Sequence, residues 1–288
     1  MNAIEIRNLE KKLGSFRLSL PRLDIPEGFV TGFIGENGAG KTTTIRLLLN
    51  GLFPDAGEIL ILGKDATGKD PSFKKSISYV GDTAGFLPMV TLEQIKSMTR
   101  PFYPQWDEAE FQKLRNRFDL DMKKQFKKLS RGQQKQFILA LALAHHPRLL
   151  LMDEPTANLD PLIRQDFLGL LQDYITREGM TVFLSSHITS DLDKVADYIV
   201  FLHKGRLLME LTAKDELIDR HRIVKGDSEL LSGAAREQLL NFSDNGFGFS
   251  GLTRDFERFQ ALADGRPFAY DLPTLEDIFI NYVKGGKQ

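Results

Sequence analysis

The residues Gly35-Glu36-Asn37-Gly38-Ala39-Gly40-Lys41-Thr42-Thr43 fit the pattern G-x-x-x-x-G-K-[ST]. In such a loop the glycines let backbone N–H groups close around phosphates, the lysine reaches the β- and γ-phosphates, and the first hydroxyl after it holds Mg2+. Lys41 and Thr42 occupy those two positions. Further on, Leu149-Leu150-Leu151-Met152-Asp153-Glu154 is an apolar run ending in two carboxylates. An Asp at the end of a buried strand needs a partner, and Mg2+ held through its water shell is a suitable one. Glu154 points to the other side of the chain, toward the space beyond the γ-phosphate, where a carboxylate can polarise water. His187 follows an apolar stretch and Ser185-Ser186, so it sits at a strand's carboxyl end beside the same site and is assigned a γ-phosphate contact. Ser130, Gly132 and Gln133, in Leu129-Ser130-Arg131-Gly132-Gln133, open a helix and make a second anion site. The chemistry these groups share is phosphoryl transfer to water, which needs positioning and charge stabilisation more than covalent catalysis.

These residues require a particular frame. Ala3 to Arg7, Phe16 to Leu20 and Phe29 to Ile34 read as strands, the last leading into the glycine loop. After Lys41, Thr42 to Leu49 has helical apolar spacing and stops at Asn50-Gly51. Glu58 to Leu62 and Ser76 to Val80 read as further strands. From Thr91, a predicted N-cap, to Asp119 the pattern is amphipathic helix, interrupted by Pro101, Pro104 and Trp106. Beyond it the spacing predicts a helix over Gln133 to Ala144, a buried strand over Leu149 to Met152, a helix over Pro161 to Tyr174, and strands over Thr181 to Leu184 and Ile199 to Leu202. Alternating strands and helices imply a layered α/β fold with a mostly parallel sheet. From Lys214 onward the pattern loosens into short β-like pieces such as Arg222 to Lys225 and loops rich in Gly, Ser and Asn. A small accessory subdomain is the reading there, with no long-period repeat.

Taken together, the motifs resemble those of the ATPase subunit of an ATP-binding cassette (ABC) transporter. Walker A runs from Gly35 to Thr43, the signature from Leu129 to Gln133, Walker B from Leu149 to Glu154, the D-loop is Ala157-Asn158-Leu159-Asp160, and His187 is the switch histidine. The resemblance covers roughly residues 1 to 210. The closing Pro273-Thr274-Leu275-Glu276-Asp277-Ile278-Phe279-Ile280 resembles the end of drug- and antibiotic-export ATPases, and Phe102-Tyr103-Pro104-Gln105-Trp106-Asp107 resembles the bacterial YtrB-like branch. The resemblance implies a P-loop NTPase fold over residues 1–213 with an antiparallel β subdomain and an inserted helical subdomain at 83–128, followed by an accessory subdomain at 214–288. It implies ATP and Mg2+, and a head-to-tail homo- or heterodimer in which ATP lies between one subunit's Walker A and the other's Ser130, Gly132 and Gln133. Asp160 then lies in the loop across that interface. It also implies separately encoded transmembrane permease subunits docking on residues 83–128, which would hold the chain peripherally on the inner face of the membrane.

Three positions depart from the family's pattern. Arg131 stands where Gly is usual, and is expected to point to solvent. Asp82 replaces the Gln expected after the Ser76 to Val80 strand; it could still reach Mg2+ or a water. The aromatic residue that stacks on adenine is not at its usual place, where Leu13 falls, so Phe16 is assigned that contact. The run Lys123-Lys124 with Lys127-Lys128 reads as a solvated face. His145-His146 ends an apolar helix before Pro147 and lacks the i, i+4 spacing of a helical metal pair.

Composition narrows the partners. With 38 basic against 39 acidic residues the net charge is −1, so no whole-chain field would attract nucleic acid. The absence of cysteine excludes disulfides, thiolate metal sites and Cys nucleophiles. The first residues, Met1 to Arg7, carry charges among the apolar positions and do not read as a signal peptide. The longest apolar run, Phe137 to Ala144, is far short of the roughly 20 residues that span a bilayer. The alternative reading, a soluble cassette ATPase acting on DNA or the ribosome, is disfavoured: Lys41 and Ser130 lie within one ordinary domain, with no long coiled coil between them and no second cassette. A regulatory subunit that binds ATP without hydrolysing it is disfavoured by the presence of Lys41, Asp153, Glu154 and His187 together.

Overall fold

In the computed structural model, residues 1–68, 70–81, 86, 89–244 and 246–285 are described. Asp82 lies outside them, as do residues 83–85, 87 and 88 of the predicted helical insertion.

The chain opens with a long hairpin, β1 (Asn2–Leu13) and β2 (Phe16–Pro26), antiparallel and turned through Gly14. Both strands run well past the short segments expected from sequence, with Leu9 of β1 and Leu23 and Ile25 of β2 buried beyond them after a pair of outward-facing residues in each strand. Then come β3 (Val30–Gly35), α1 (Lys41–Leu48), β4 (Ala56–Ile61), β5 (Lys64–Asp65) and β6 (Ile77–Val80). The insertion supplies α2 (Leu92–Thr99) and α3 (Glu108–Arg117), and is followed by α4 (Arg131–Leu143), β7 (Leu149–Asp153), α5 (Pro161–Glu178), β8 (Thr181–Ser186), α6 (Thr189–Val195), β9 (Tyr198–His203), β10 (Arg206–Leu207) and β11 (Thr212–Ala213). The last part contains α7 (Lys214–Asp219), β12 (Ile223–Gly226), α8 (Gly233–Glu237), β13 (Leu239–Asp244), β14 (Phe249–Thr253), α9 (Phe256–Ala263), β15 (Ala269–Asp271) and α10 (Leu275–Gly285).

Five strands form a parallel block in the order β9-β3-β8-β7-β6. Every residue of β3, β7 and β8 is buried, as expected for strands covered on both faces. Alternation along β7 divides the core: Leu150 and Met152 join α4, α5 and the helical insertion, whereas Leu149 and Leu151 join Ile45 and Leu48 of α1 and the β1–β2 hairpin. The antiparallel strands are not detached from this block. β10 pairs with β9 and also meets β2 at Arg206 and Ser19, so the predicted β subdomain continues the same mixed sheet.

The Phe102 to Asp107 segment ties the insertion to the core. Tyr103 stacks on His145 with ring centroids 3.7 Å apart, the Gln105 side-chain amide donates to the Lys75 carbonyl, and the Asp107 N–H donates to Ala144 O at 2.6 Å. Asp107 also caps α3 and faces His146, which contacts Glu178 on the other side. Tyr174 of α5 donates to Glu110 of α3. The two histidines therefore serve structural contacts, in line with the helix-end reading.

The accessory part has more order than the sequence suggested. β12-α8-β13-β14-α9-β15 is a split βαβ arrangement with strand order β13-β14-β12-β15, all antiparallel. Val224, Phe249, Phe259 and Phe268 form its own small core. Leu217 of α7, Leu240 and Leu252 of its sheet, and Leu275, Ile278 and Phe279 of α10 instead belong to the main core of the preceding domain.

Candidate functional site

The loop from Gly35 to Gly40 leaves the carboxyl end of a buried central strand and enters α1, the context that a phosphate loop requires. Gly40 has φ +113, and a Cβ there would lie 2.9 Å from Phe16 Cζ, so the chain needs glycine for both conformation and clearance. Helices α2 to α5 each receive a side-chain acceptor at their N-cap, from Thr91, Asp107, Ser130 and Asp160. α1 receives none and has no acid in its first turn. Its leading N–H groups are orphan donors backed by the positive helix end, suited to an anion.

A cavity of about 420 Å3 opens there, lined by Leu13, Phe16, Glu36, Asn37, Gly38, Gly40, Lys41, Thr42, Thr43 and Glu154. Both sequence candidates for the adenine contact, Leu13 and Phe16, are on its wall. Lys41 is buried and its ammonium donates to Gly35 O at 2.6 Å and Glu36 O at 3.2 Å. It also lies 3.1 Å from Glu154 Oε1, within ion-pair range though outside hydrogen-bond alignment. Ala39 is buried, its carbonyl accepting from Gly205 N–H.

Glu154 is held from several sides. Its backbone adopts φ +49, uncommon for a side chain with a Cβ. Its N–H donates to Ser185 O at 3.1 Å, and its carbonyl accepts from Lys135 Nζ at 2.7 Å. His187 approaches through its backbone N–H, 3.3 Å from Glu154 Oε2, and its ring Nδ1, 2.8 Å from the same oxygen. Asp153 is buried and accepts from Ser185 Oγ at 2.6 Å. Lys41, Asp153, Glu154 and His187 thus converge at one end of the sheet, as their sequence positions required.

Ser130 and Gln133 form a reciprocal capping box at the start of α4, each side chain accepting from the other's backbone N–H at 3.2 Å. The Gln133 amide expected to meet an anion is therefore engaged by the Ser130 hydroxyl. Gly132 has a packing reason as well, since a Cβ would lie 2.8 Å from Ile163 Cδ1 of α5. Arg131 is exposed, as expected. Asp160 caps α5, accepting from the Leu162 and Ile163 N–H groups at 3.1 Å.

Among the described residues no cluster of three or more His, Cys, Asp or Glu side chains could hold a metal ion alone. A Mg2+ site here would take Thr42, whose exposed residue faces the cavity, and Asp153 through water, with phosphate oxygens completing the shell; the hard-oxygen chemistry of these donors fits that ion. Sequence reading missed Lys135, Ser185 and the Thr156, Arg164 and Asp191 side chains described below. Lys135 carried a signal, a lone cation beside the apolar face of its helix; Ser185 carried none by residue type.

A family model described as "ABC transporter" matches residues 18–157. A second model, of an AAA domain, matches residues 125–192. The ABC transporter ATP-binding protein YtrB of Bacillus subtilis (strain 168) is 33% identical to this chain over 99% of each. The bacitracin transport ATP-binding protein BcrA of Bacillus licheniformis is 31% identical over 76% of this chain and 72% of its own length. Among solved structures, an ATP-binding subunit of an ABC transporter superposes with a TM-score of 0.66 at 25% identity, covering 75% of this chain and 91% of its own.

Proposed function

The chain belongs to the ABC transporter family as an ATP-binding, ATP-hydrolysing subunit, and on that premise we propose that Glu154 polarises the attacking water in a site completed by a second subunit. The observation that carries this reading is the convergence of Lys41 and His187 on the two oxygens of Glu154, which lines the cavity. Lys41 and the α1 N–H groups bind the β- and γ-phosphates. Thr42 and Asp153 hold Mg2+, which when bound offsets phosphate charge. Phe16 packs against the base. Glu154 takes the water's proton as it attacks, and His187 keeps the carboxylate oriented while reaching the γ-phosphate.

Ser130, Gly132 and Gln133 serve the nucleotide of the other subunit, with Asp160 at the shared boundary. An anion there can accept the Ser130 hydroxyl proton while Oγ keeps accepting from Gln133 N–H; the Gln133 amide alone has to leave its capping-box partner to reach an anion. The second subunit is either another copy or a related ATPase. Subunits of this family work with separate membrane permeases, and no helix among the described residues is long and apolar enough to cross a membrane. The helical insertion docks on those permeases, holding the chain at the inner face of the membrane. Similarity to YtrB over nearly the whole chain, and to a bacitracin transport ATPase, supports export of a drug or antibiotic.

Glu154→Gln tests the reading. Radiolabelled ATP should remain bound, turnover should fall at least a hundredfold, and gel filtration with Mg-ATP should reveal a trapped dimer. Hydrolysis at the parent rate would remove Glu154 as the base.

A further inference from the structure

We propose that Asp191 is a positioning residue for ATP hydrolysis, fixing the turn after Glu154 against the segment after His187. The proposal rests on the reading of Glu154 as the group that polarises water. Asp191 is only 1% exposed, in the first turn of α6. Its Oδ2 accepts from Thr156 Oγ1 at 2.6 Å, and its Oδ1 accepts from Arg164 Nε at 2.5 Å. The same guanidinium donates through Nη2 to Ser190 Oγ at 3.1 Å. A buried carboxylate is tolerated when both oxygens are paired in this way.

The sequence offsets give these bonds their meaning. Thr156 is two residues beyond Glu154, and Asp191 is four residues beyond His187. The two segments are thus joined twice, by Glu154 with His187 at one point and by Thr156 with Asp191 at another. One contact alone would let each segment pivot about it; two separated contacts fix their relative orientation. The other bonds at this place, from Glu154 N–H to Ser185 O and from Ile188 N–H to Ser186 Oγ, hold the backbone and leave the Thr156–Asp191 contact as the side-chain tie between the turn and α6. α6 begins at Ile188 without a side-chain cap, and Glu154 lies in a left-handed backbone conformation that its surroundings must maintain. Arg164 extends the same tie to α5, one turn past the Asp160 cap. The hydrogen-bond partners of the Asp191 carboxylate, Thr156 and Arg164, are not among the residues lining the nucleotide cavity, so its effect should fall on the chemical step and spare ATP binding.

Steady-state ATPase kinetics on the full chain test this, with thermal melting as a check on folding. Thr156→Val, close in shape but without the hydroxyl, is expected to lower kcat about tenfold, leave KM for ATP within about twofold and preserve the fold; a tenfold change corresponds to about 1.4 kcal/mol in the barrier. Thr156→Ser should restore kcat. Asp191→Asn should lower kcat further, and adding Thr156→Val to it should cost little more, because both act through one link. A folded Thr156→Val with parental kcat, a loss confined to KM, or failure of the serine variant to rescue would overturn the proposal. Glu154→Gln measured alongside separates the two readings. If it is inactive while Thr156→Val is normal, the Asp191 proposal alone fails; if it hydrolyses ATP at the parent rate, the reading of Glu154 fails and the proposal falls with it.

Discussion

His145 gives a stability prediction whose sign follows from its surroundings. The ring is 1% exposed, stacked against Tyr103, with Nε2 beside Ser78 Oγ at 2.5 Å. Ser78 Oγ donates its proton to Ala142 O at 2.8 Å, so it accepts from His145 Nε2–H, which fixes the neutral tautomer. Nδ1 is buried with no hydrogen-bond partner. Burial, helped in smaller measure by the neighbouring His146 and opposed by a contact of the ring with its own backbone, pushes the His145 pKa from 6.5 down to about 4. The folded pKa is below the unfolded one, so the unfolded chain binds the proton more readily. The contribution is full above the ordinary histidine value and is lost as pH falls from about 6.5 toward 4. Linkage over that interval amounts to about 2 kcal/mol at pH ~5 and about 3 kcal/mol at its limit. His145→Gln retains a donor for Ser78 but cannot titrate. Melting of parent and variant from pH ~7.5 to ~5 should therefore show the parent losing about 4 °C more, at roughly 2 °C per kcal/mol for a large domain. The variant's lower absolute stability is immaterial; the difference in slope is the measurement. Parallel curves would refute the assignment of a buried neutral ring.

His146 should behave in the opposite sense. Its partial burial is outweighed by hydrogen bonds to Glu178 and Asp107, which raise its pKa, so its contribution is full below the unfolded value near 6.5 and is lost as pH rises through the folded one. His146→Gln is expected to destabilise the chain more at pH ~6 than at pH ~9 in urea titrations; equal losses at both would exclude that pairing. Phe16→Ala should weaken ATP binding about tenfold if the ring packs on the base, the low end of what one lost stacking contact costs. Unchanged affinity by fluorescent nucleotide titration would transfer that role to Leu13.

Residues whose role depends on short-range order were legible in the sequence. The phosphate loop, Asp153-Glu154 and the Ser130 helix start follow from backbone requirements within a few positions, and the structure puts each in the strand-to-helix or helix-start context expected. Contacts that depend on chain crossing were not legible. Asp191 and Thr156 are ordinary surface residue types until folding brings them together, and α6 is too short to reveal its buried face. The accessory sheet was obscure because its strands are short and their pairing, β12 between β14 and β15, joins distant pieces. Local propensity also missed how far β1 and β2 extend, since their outer ends are held by each other and by the β4 pairing.

The final helix has a consequence for how the protein is made. Leu275, Ile278 and Phe279 enter the core of the nucleotide domain, with Phe279 against Phe201 of a central strand at 5.4 Å between ring centroids. A ribosome that has released only the first 213 residues has presented every motif of the ATP site, yet the sheet still lacks one of its covering elements. Domains usually fold as they emerge. Here the ATPase cannot close its own core until α10 has been made, more than sixty residues after the last nucleotide-binding motif, so an abortive product carrying all those motifs would expose apolar surface and be a target for proteolysis instead of a competing ATPase.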